Sequence, residues 1–363
     1  MPNYKEWLDD EKAKKHQIDM LKMSGIPLEL KVRKTLEGKG YMAVPYPYQD
    51  VGDENDSELV FDRGTWRELD IWGLRTKEPS LDIGGIKISF FTQILCECKY
   101  SSDRDIITFS DEYASSLLHN FPILLNGHTM LGGNLKNEFL LPALAERVTE
   151  SSSKRDDKKE RNFTDTNIYT ASEQLISALR YLVIKQRWNE RNNYLDIVKT
   201  SEINRLWGEW LKQGKAERIN VGNGYRISEE SIDKFLVANY KPETMIKDFR
   251  DIVVSIIYLL IVIDENRGVI EAKLDANYSI FDLKDIGVCL YSHHPQKPER
   301  YSSIIGSFHY LPIFISNVTQ IPSVLELIEY GETKLMKRMK SLLKDKPYLL
   351  PKELLFNEQV NTM

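Results

Sequence analysis

GIKISFFTQILCECKY, residues 85–100, decides the fold. With the period of two that a β-strand imposes, Glu97 and Lys99 leave one face. Cys96, Cys98 and Tyr100 leave the other face and are expected to pack into a core. The upstream half, SFFTQIL, is too apolar for a strand that faces water. A strand that buries cysteines yet carries a carboxylate and an ammonium near its end suits a reaction site at a sheet edge. Just before it, RELDIWG (67–73) reads as a second strand, with DIGG (82–85) as the hairpin turn between them. On that strand Asp70 shares a face with Glu68 and Trp72, and Leu69 and Ile71 are expected to face the core together. Pairing of the two strands can then present Asp70 beside Glu97, 27 positions later (97 − 70).

Two carboxylates held close repel each other unless a cation sits between them. An all-oxygen donor set suits a hard ion, Mg2+, with Mn2+ as a substitute. A lysine beside such an ion can orient an attacking water and stabilise charge on a phosphate. An acid on one strand followed by acid-x-Lys on the next resembles the PD-(D/E)xK, or restriction-endonuclease-like, nuclease superfamily. The first motif stands here as Glu68-Leu69-Asp70, without the proline, and the second as Glu97-Cys98-Lys99.

The resemblance implies an α/β fold: a restriction-endonuclease-like mixed central sheet flanked by helices, with helical insertions. It implies metal binding by Asp70 and Glu97, with Lys99 assisting the water. Glu29, on the helix before the sheet, would support a second ion, and Gln174 is a loose match to a polar residue on the helix after the lysine strand. The implied activity is metal-dependent hydrolysis of phosphodiester bonds, in the first instance by a DNA endonuclease acting on double-stranded DNA in restriction or defence against foreign DNA. Defence-system partner proteins would go with that role. Cutting both strands of a duplex calls for two sites, hence a homodimer. Two alternatives stay open: a non-catalytic nucleic-acid-binding or assembly subunit on the same fold, and a structure-specific (junction or RNA) nuclease. The plainest reading makes Glu97 and Lys99 a solvated strand face, and Glu29 with Arg33 an i,i+4 ion pair on a helix surface.

The rest of the chain fits one elaborated domain over 1–363, with its core in about 24–130, 167–188 and 250–343. Residues 5–23 and 25–41 read as helices, the second with Leu28, Val32 and Leu36 in one stripe, Pro27 in its first turn, and Gly38 and Gly40 at its end. Residues 150–166, including SSSKRDDKKERNFTDT, read as a flexible polar loop. A Thr170-x-x-Glu173 capping box is expected to open a helix over 170–188. Residues 189–245 read as an insertion with a turn at VGNGY (221–225), and its Trp207 and Trp210 as packing residues. IVVSIIYLLIVI (252–263) reads as a strand buried on both faces, followed by strands at 286–294 and 311–316 and a helix over 322–343.

Composition excludes several classes. The net charge of −5 gives no global basic signature, although a local basic groove can coexist with an acidic whole. Three cysteines offer neither a disulfide framework nor a zinc quartet, which suits a reducing, cytoplasmic setting. The charged N-terminus does not read as a signal peptide, and the 12 residues of 252–263 are too short for a membrane-spanning helix, so no membrane is expected. There is no phosphate-binding GxxxxGK[ST] loop. His293 and His294, in SHHPQKPERY (292–301), lack further ligands for zinc and read as part of a surface loop.

Overall fold

The structure is a computed structural model that describes residues 10–50, 65–83, 86–100, 105–109, 121–125, 128–131, 143–145, 147–150, 167–199, 208–215, 217–221, 224–228, 230–231, 234–235, 238, 251–275, 277, 279–296 and 310–345. The loop read at 150–166 therefore lies almost wholly outside the described residues, as does Trp207.

Two helices, α1 (Glu11–Met23) and α2 (Ile26–Gly38), lead into a hairpin of three strands, β1 (Met42–Asp50), β2 (Thr65–Ile83) and β3 (Ile86–Lys99). Asp10 caps α1, its carboxylate accepting from the backbone N–H groups of Lys12 and Ala13. Gly25, at φ 75°, makes the tight entry into α2. Leu28, Val32 and Leu36 are the buried stripe of α2, as their spacing requires. β2 and β3 close on the pair Ile83↔Ile86.

The principal sheet has nine strands among the described residues. Along its main path it runs β1, β2, β3, β11 (Asp251–Ile263), β15 (Leu311–Asn317), β14 (Val288–His293), β7 (Ala143–Ala145). β11 lies parallel to both β3 and β15, and the outer neighbours β2 and β14 run antiparallel to theirs. The three late strands expected from the apolar runs thus join the sheet that carries Asp70. β5 (Pro122–Leu125) pairs with the first half of β11, and β6 (His128–Leu131) with β5.

The two faces of this sheet bury separate cores. Alternate residues of β11 divide between them, Val254, Ile256, Tyr258, Leu260 and Val262 on one side and Ile257, Leu259, Ile261 and Ile263 on the other. The first core is covered by α2 and by the closing helix α4 (Ile321–Asp345), the second by α3 (Asn167–Lys199). The fold is thus α/β, a mixed sheet flanked by helices on both faces. No helix among the described residues is long and apolar enough to cross a membrane. A smaller sheet of β13 (Ile280–Asp285), β12 (Val269–Leu274), β4 (Ile106–Phe109) and β8 (Arg147–Glu150) stands beside the first. β9 (Arg218–Val221) and β10 (Gly224–Ile227) pair antiparallel on either side of the expected VGNGY turn, whose Gly222 and Asn223 lie outside the described residues, and Trp210 packs edge-on against Phe235, as a packing residue should.

Three expectations need correction. α3 begins at Asn167, so Thr170 and Glu173 lie inside the helix and form no capping box. Tyr100 falls beyond the end of β3 and is exposed, because the ladder that buries its neighbours stops at Lys99. Leu69 and Ile71 do not share a face: Leu69 packs in the α3-side core and Ile71 in the α2/α4-side core. The cause is a bulge, since Val44 pairs with Trp72 and Tyr46 with Leu69, leaving Asp70 and Ile71 together opposite Pro45.

Phe314 stacks on Phe121 (ring centroids 5.9 Å, 17°) and lies 6.5 Å from the ring of Tyr258 at the centre of the first core. Phe314→Ala is expected to lower unfolding free energy by about 3–5 kcal/mol, read from urea denaturation midpoints. A loss below ~1 kcal/mol would show that this core is not assembled as described.

Candidate active site

The bulge in β2 coincides with the place where β2 and β3 part. Their ladder ends at Ile71↔Cys96. Beyond it β2 stays paired with β1 as far as Thr65, and β3 stays paired with β11 as far as Lys99. Each strand keeps its outer partner and loses its inner one, so the sheet forks. Asp70 stands on one arm at the fork, Glu97 and Lys99 on the other.

Across the fork Asp70 Oδ2 accepts from the backbone N–H of Cys98 at 2.6 Å. That N–H has no strand to bond on this side, and the carboxylate supplies its acceptor. Lys99 Nζ donates to Glu97 Oε1 at 2.7 Å and to Gln174 Oε1, on α3, at 3.1 Å. Glu97 and Lys99 therefore do share a face, the one that α3 covers. Glu97 is only 4 % exposed, and its buried Oε2 has no hydrogen-bond partner among the described residues.

Electrostatics follow from this burial. Burial, then the charge of Asp70, pushes the Glu97 carboxyl up to about 7, against the pull of Lys99. Burial also raises Asp70, while the Cys98 N–H and Lys99 hold it down. The site thus keeps a proton at mild acidity that an exposed glutamate would release. That is what burial does to a carboxyl that also has a second carboxylate beside it.

Glu29 sits on the α2 side. Burial, then the charges of Asp70 and Glu68, raise its pKa. Its expected surface partner is elsewhere: Arg33 Nε donates to Glu37 Oε1 at 2.9 Å, so no Glu29–Arg33 ion pair forms. Glu29 therefore couples to Asp70 but is not gathered with Glu97. Among the described residues no group of three His, Cys, Asp or Glu side chains is placed to hold a metal ion.

The residues present nonetheless fit one hard cation. Mg2+ takes one or two carboxylates and keeps several waters, and here two carboxylates face a fork with one oxygen orphaned. Cys98 and Cys96 do not compete as ligands. Burial raises the Cys96 thiol against the pull of its hydrogen bond with Cys98, that hydrogen bond and then burial raise the Cys98 thiol, and Cys96 lies in the core. The open cavity at the ends of β11 and β15, lined by Arg267, Asp285, Asn317 and Gln320 among others, holds none of these residues.

His293 departs from the surface-loop reading. It ends β14, is fully buried, and its Nε2 lies 2.8 Å from Glu173 Oε1 on α3, with Nδ1 3.2 Å from the Tyr291 hydroxyl. Burial holds its pKa down, so the neutral ring donates from Nε2 and accepts at Nδ1. Glu173 was legible in the sequence only as a cap. No signal in the sequence marked the Cys98 N–H or the His293 contact. His294 does lie at the surface, Nδ1 against its neighbour's carbonyl.

No family model, no curated protein and no solved structure matches the chain.

A raised carboxyl pKa has a defined effect on stability. Between the unfolded value of 4.5 and about 7 the folded chain holds more protons at Glu97 than the unfolded chain does. Stability contributed by this group is therefore complete below 4.5 and is lost as pH rises to about 7. Glu97→Gln removes this dependence. The variant is expected to gain on the wild type across that window, by on the order of 3 kcal/mol at its upper end. Parallel stability–pH curves for the two proteins would show that Glu97 titrates as an exposed glutamate.

Proposed function

We propose that this chain is a divalent-metal-dependent phosphodiesterase of the PD-(D/E)xK kind, acting on nucleic acid, with duplex DNA as the first substrate to try. The observation that carries the reading is the fork: a bulged strand and a straight one separate where the sequence places Asp70, Glu97 and Lys99. Bulges recur beside active sites because they re-aim a side chain without breaking the sheet. A forked mixed sheet between helices is also what a restriction-endonuclease-like fold would supply.

Each residue then has a definable task. Asp70 and Glu97 would hold Mg2+ between them, with Glu29 acting on the site through the charge of Asp70. The bound ion supplies Lewis-acid polarisation of the scissile phosphate and a water of lowered pKa. Lys99 holds a donor beside that position, and Gln174 keeps the ammonium aimed while it remains on Glu97. In the absence of metal Lys99 partly neutralises Glu97. Positioning would bring nucleophile and phosphate together, alongside electrostatic stabilisation of the developing charge. The rival reading, a binding subunit that keeps the fold, draws on the closed Lys99–Glu97 pair; the cleavage assay separates the two.

The test is incubation of the purified chain with supercoiled plasmid, linear duplex, single-stranded DNA and RNA, with Mg2+ or with EDTA. Cleavage that requires Mg2+ is expected. Lys99→Ala, Asp70→Asn and Glu97→Gln should each lower it about 10²–10⁴-fold. Binding of Mg2+ should stabilise the wild type by about 3 kcal/mol at a hundredfold excess over Kd. That gain should vanish in Asp70→Asn and Glu97→Gln but persist in Lys99→Ala, since an ammonium is not a ligand. A Lys99→Ala protein that cleaves at the wild-type rate removes that residue from the mechanism. An inert wild type that still binds nucleic acid supports the binding subunit instead.

A further inference from the structure

β13 is the outermost strand of the small sheet, and among the described residues its outer edge pairs with nothing. All six of its residues are exposed, including Ile280 at 55 %, Phe281 at 61 % and Leu283 at 58 %. An open edge strand is a pairing template; charges on it exclude most partners and leave those that present matching charges.

The charges on this strand indicate the occupant. In its own sheet Asp282 stands opposite Lys273 and Lys284 opposite Glu271, while Leu283 stands opposite Ala272 on the other face. If two copies of β13 pair antiparallel about a two-fold axis at Leu283, Asp282 faces Lys284 of the partner subunit, and the reverse. Across four strands the charged row then reads Lys273, Asp282, Lys284, Glu271, alternating in sign throughout. The opposite face carries an apolar row, Ala272, Leu283, Leu283, Ala272. Centring the axis on Asp282 or on Lys284 instead sets like charges directly opposite, which is destabilising. A half-residue shift places Asp282 against Leu283 and forms no charge pair. The Leu283-centred register alone sets Asp282 against Lys284 and Leu283 against itself, with Phe281 opposite Asp285 of the partner subunit, and an isologous interface requires such self-complementary pairs.

We propose that β13 is the dimerisation edge of this protein, its partner being a second copy of the same chain paired antiparallel through Leu283. The two small sheets then form one continuous sheet of eight strands, twice the four in one chain. The inference rests on the edge strand alone and is independent of the chemistry at Asp70.

The full-length chain is examined by light scattering after size exclusion and by sedimentation, and the wild type is expected to be dimeric. Leu283→Lys, which sets two ammonium groups opposite each other, should raise the dimer dissociation constant about 100-fold or more without changing the circular dichroism spectrum. Leu283→Cys should form a disulfide-linked dimer under mild oxidation, because only the residue on the axis meets itself. Asp282→Cys should not, and the wild type, with Cys96 and Cys289 buried, serves as the thiol control. A monomeric wild type would overturn the proposal, as would a dimer unaffected by Leu283→Lys or a cross-link at position 282 in preference to 283.

Discussion

The parallel ladder between β3 and β11 is the constraint on which everything else rests. It runs without a break from Lys87↔Asp251 to Lys99↔Ile263. β11 contributes apolar residues to both cores, so it cannot move without opening one of them. β3 is therefore held on one edge along its whole length. Its other edge can be released at Cys96 without loss of strand geometry, and Glu97 and Lys99 stay two residues apart on one face, at the fork. A strand released on both edges would fray there, and the carboxylate and the ammonium would lose their relation to Asp70.

What surrounds the fork compensates for the release. Cys98 loses a strand partner and gains the Asp70 carboxylate. α4 is tied to the paired part of the hairpin by Glu332, a buried carboxylate reached by Arg75 and Lys77 of β2 and by the hydroxyl of Thr92 in β3. Burial raises the pKa of Glu332, and those three donors oppose the rise. A half-satisfied charge in that position would weaken the packing of α4 against β2 and β3.

Much of this was legible in the sequence, for reasons that can be named. Period-two spacing put Glu97 and Lys99 together, and continuous apolarity marked 252–263 as buried on both faces. A helical stripe found α2. The bulge was not legible, because a single extra residue leaves no trace in the alternation of so short a segment. It reversed the side of Leu69 relative to Ile71 and brought Asp70 to the fork. β1 was hidden by Pro45 and Pro47, which argue against a strand except at an edge, and an edge is where β1 lies. His293 looked like a loop residue because Pro295 and Gln296 follow it; its burial depends on Glu173, 120 positions away in sequence.

That last contact has a mechanical consequence. Glu173 and Gln174 are neighbours on α3, so their side chains leave the helix axis about 100° apart. One reaches His293 on β14 and the other Lys99 on β3, strands separated in the sheet by β11 and β15. Rolling the helix about its long axis in either direction would stretch one contact as it slackened the other. Apolar packing resists such rolling by interdigitation but carries no directional bond of its own. The paired tethers add two such bonds and fix the azimuth from which Gln174 meets the lysine ammonium.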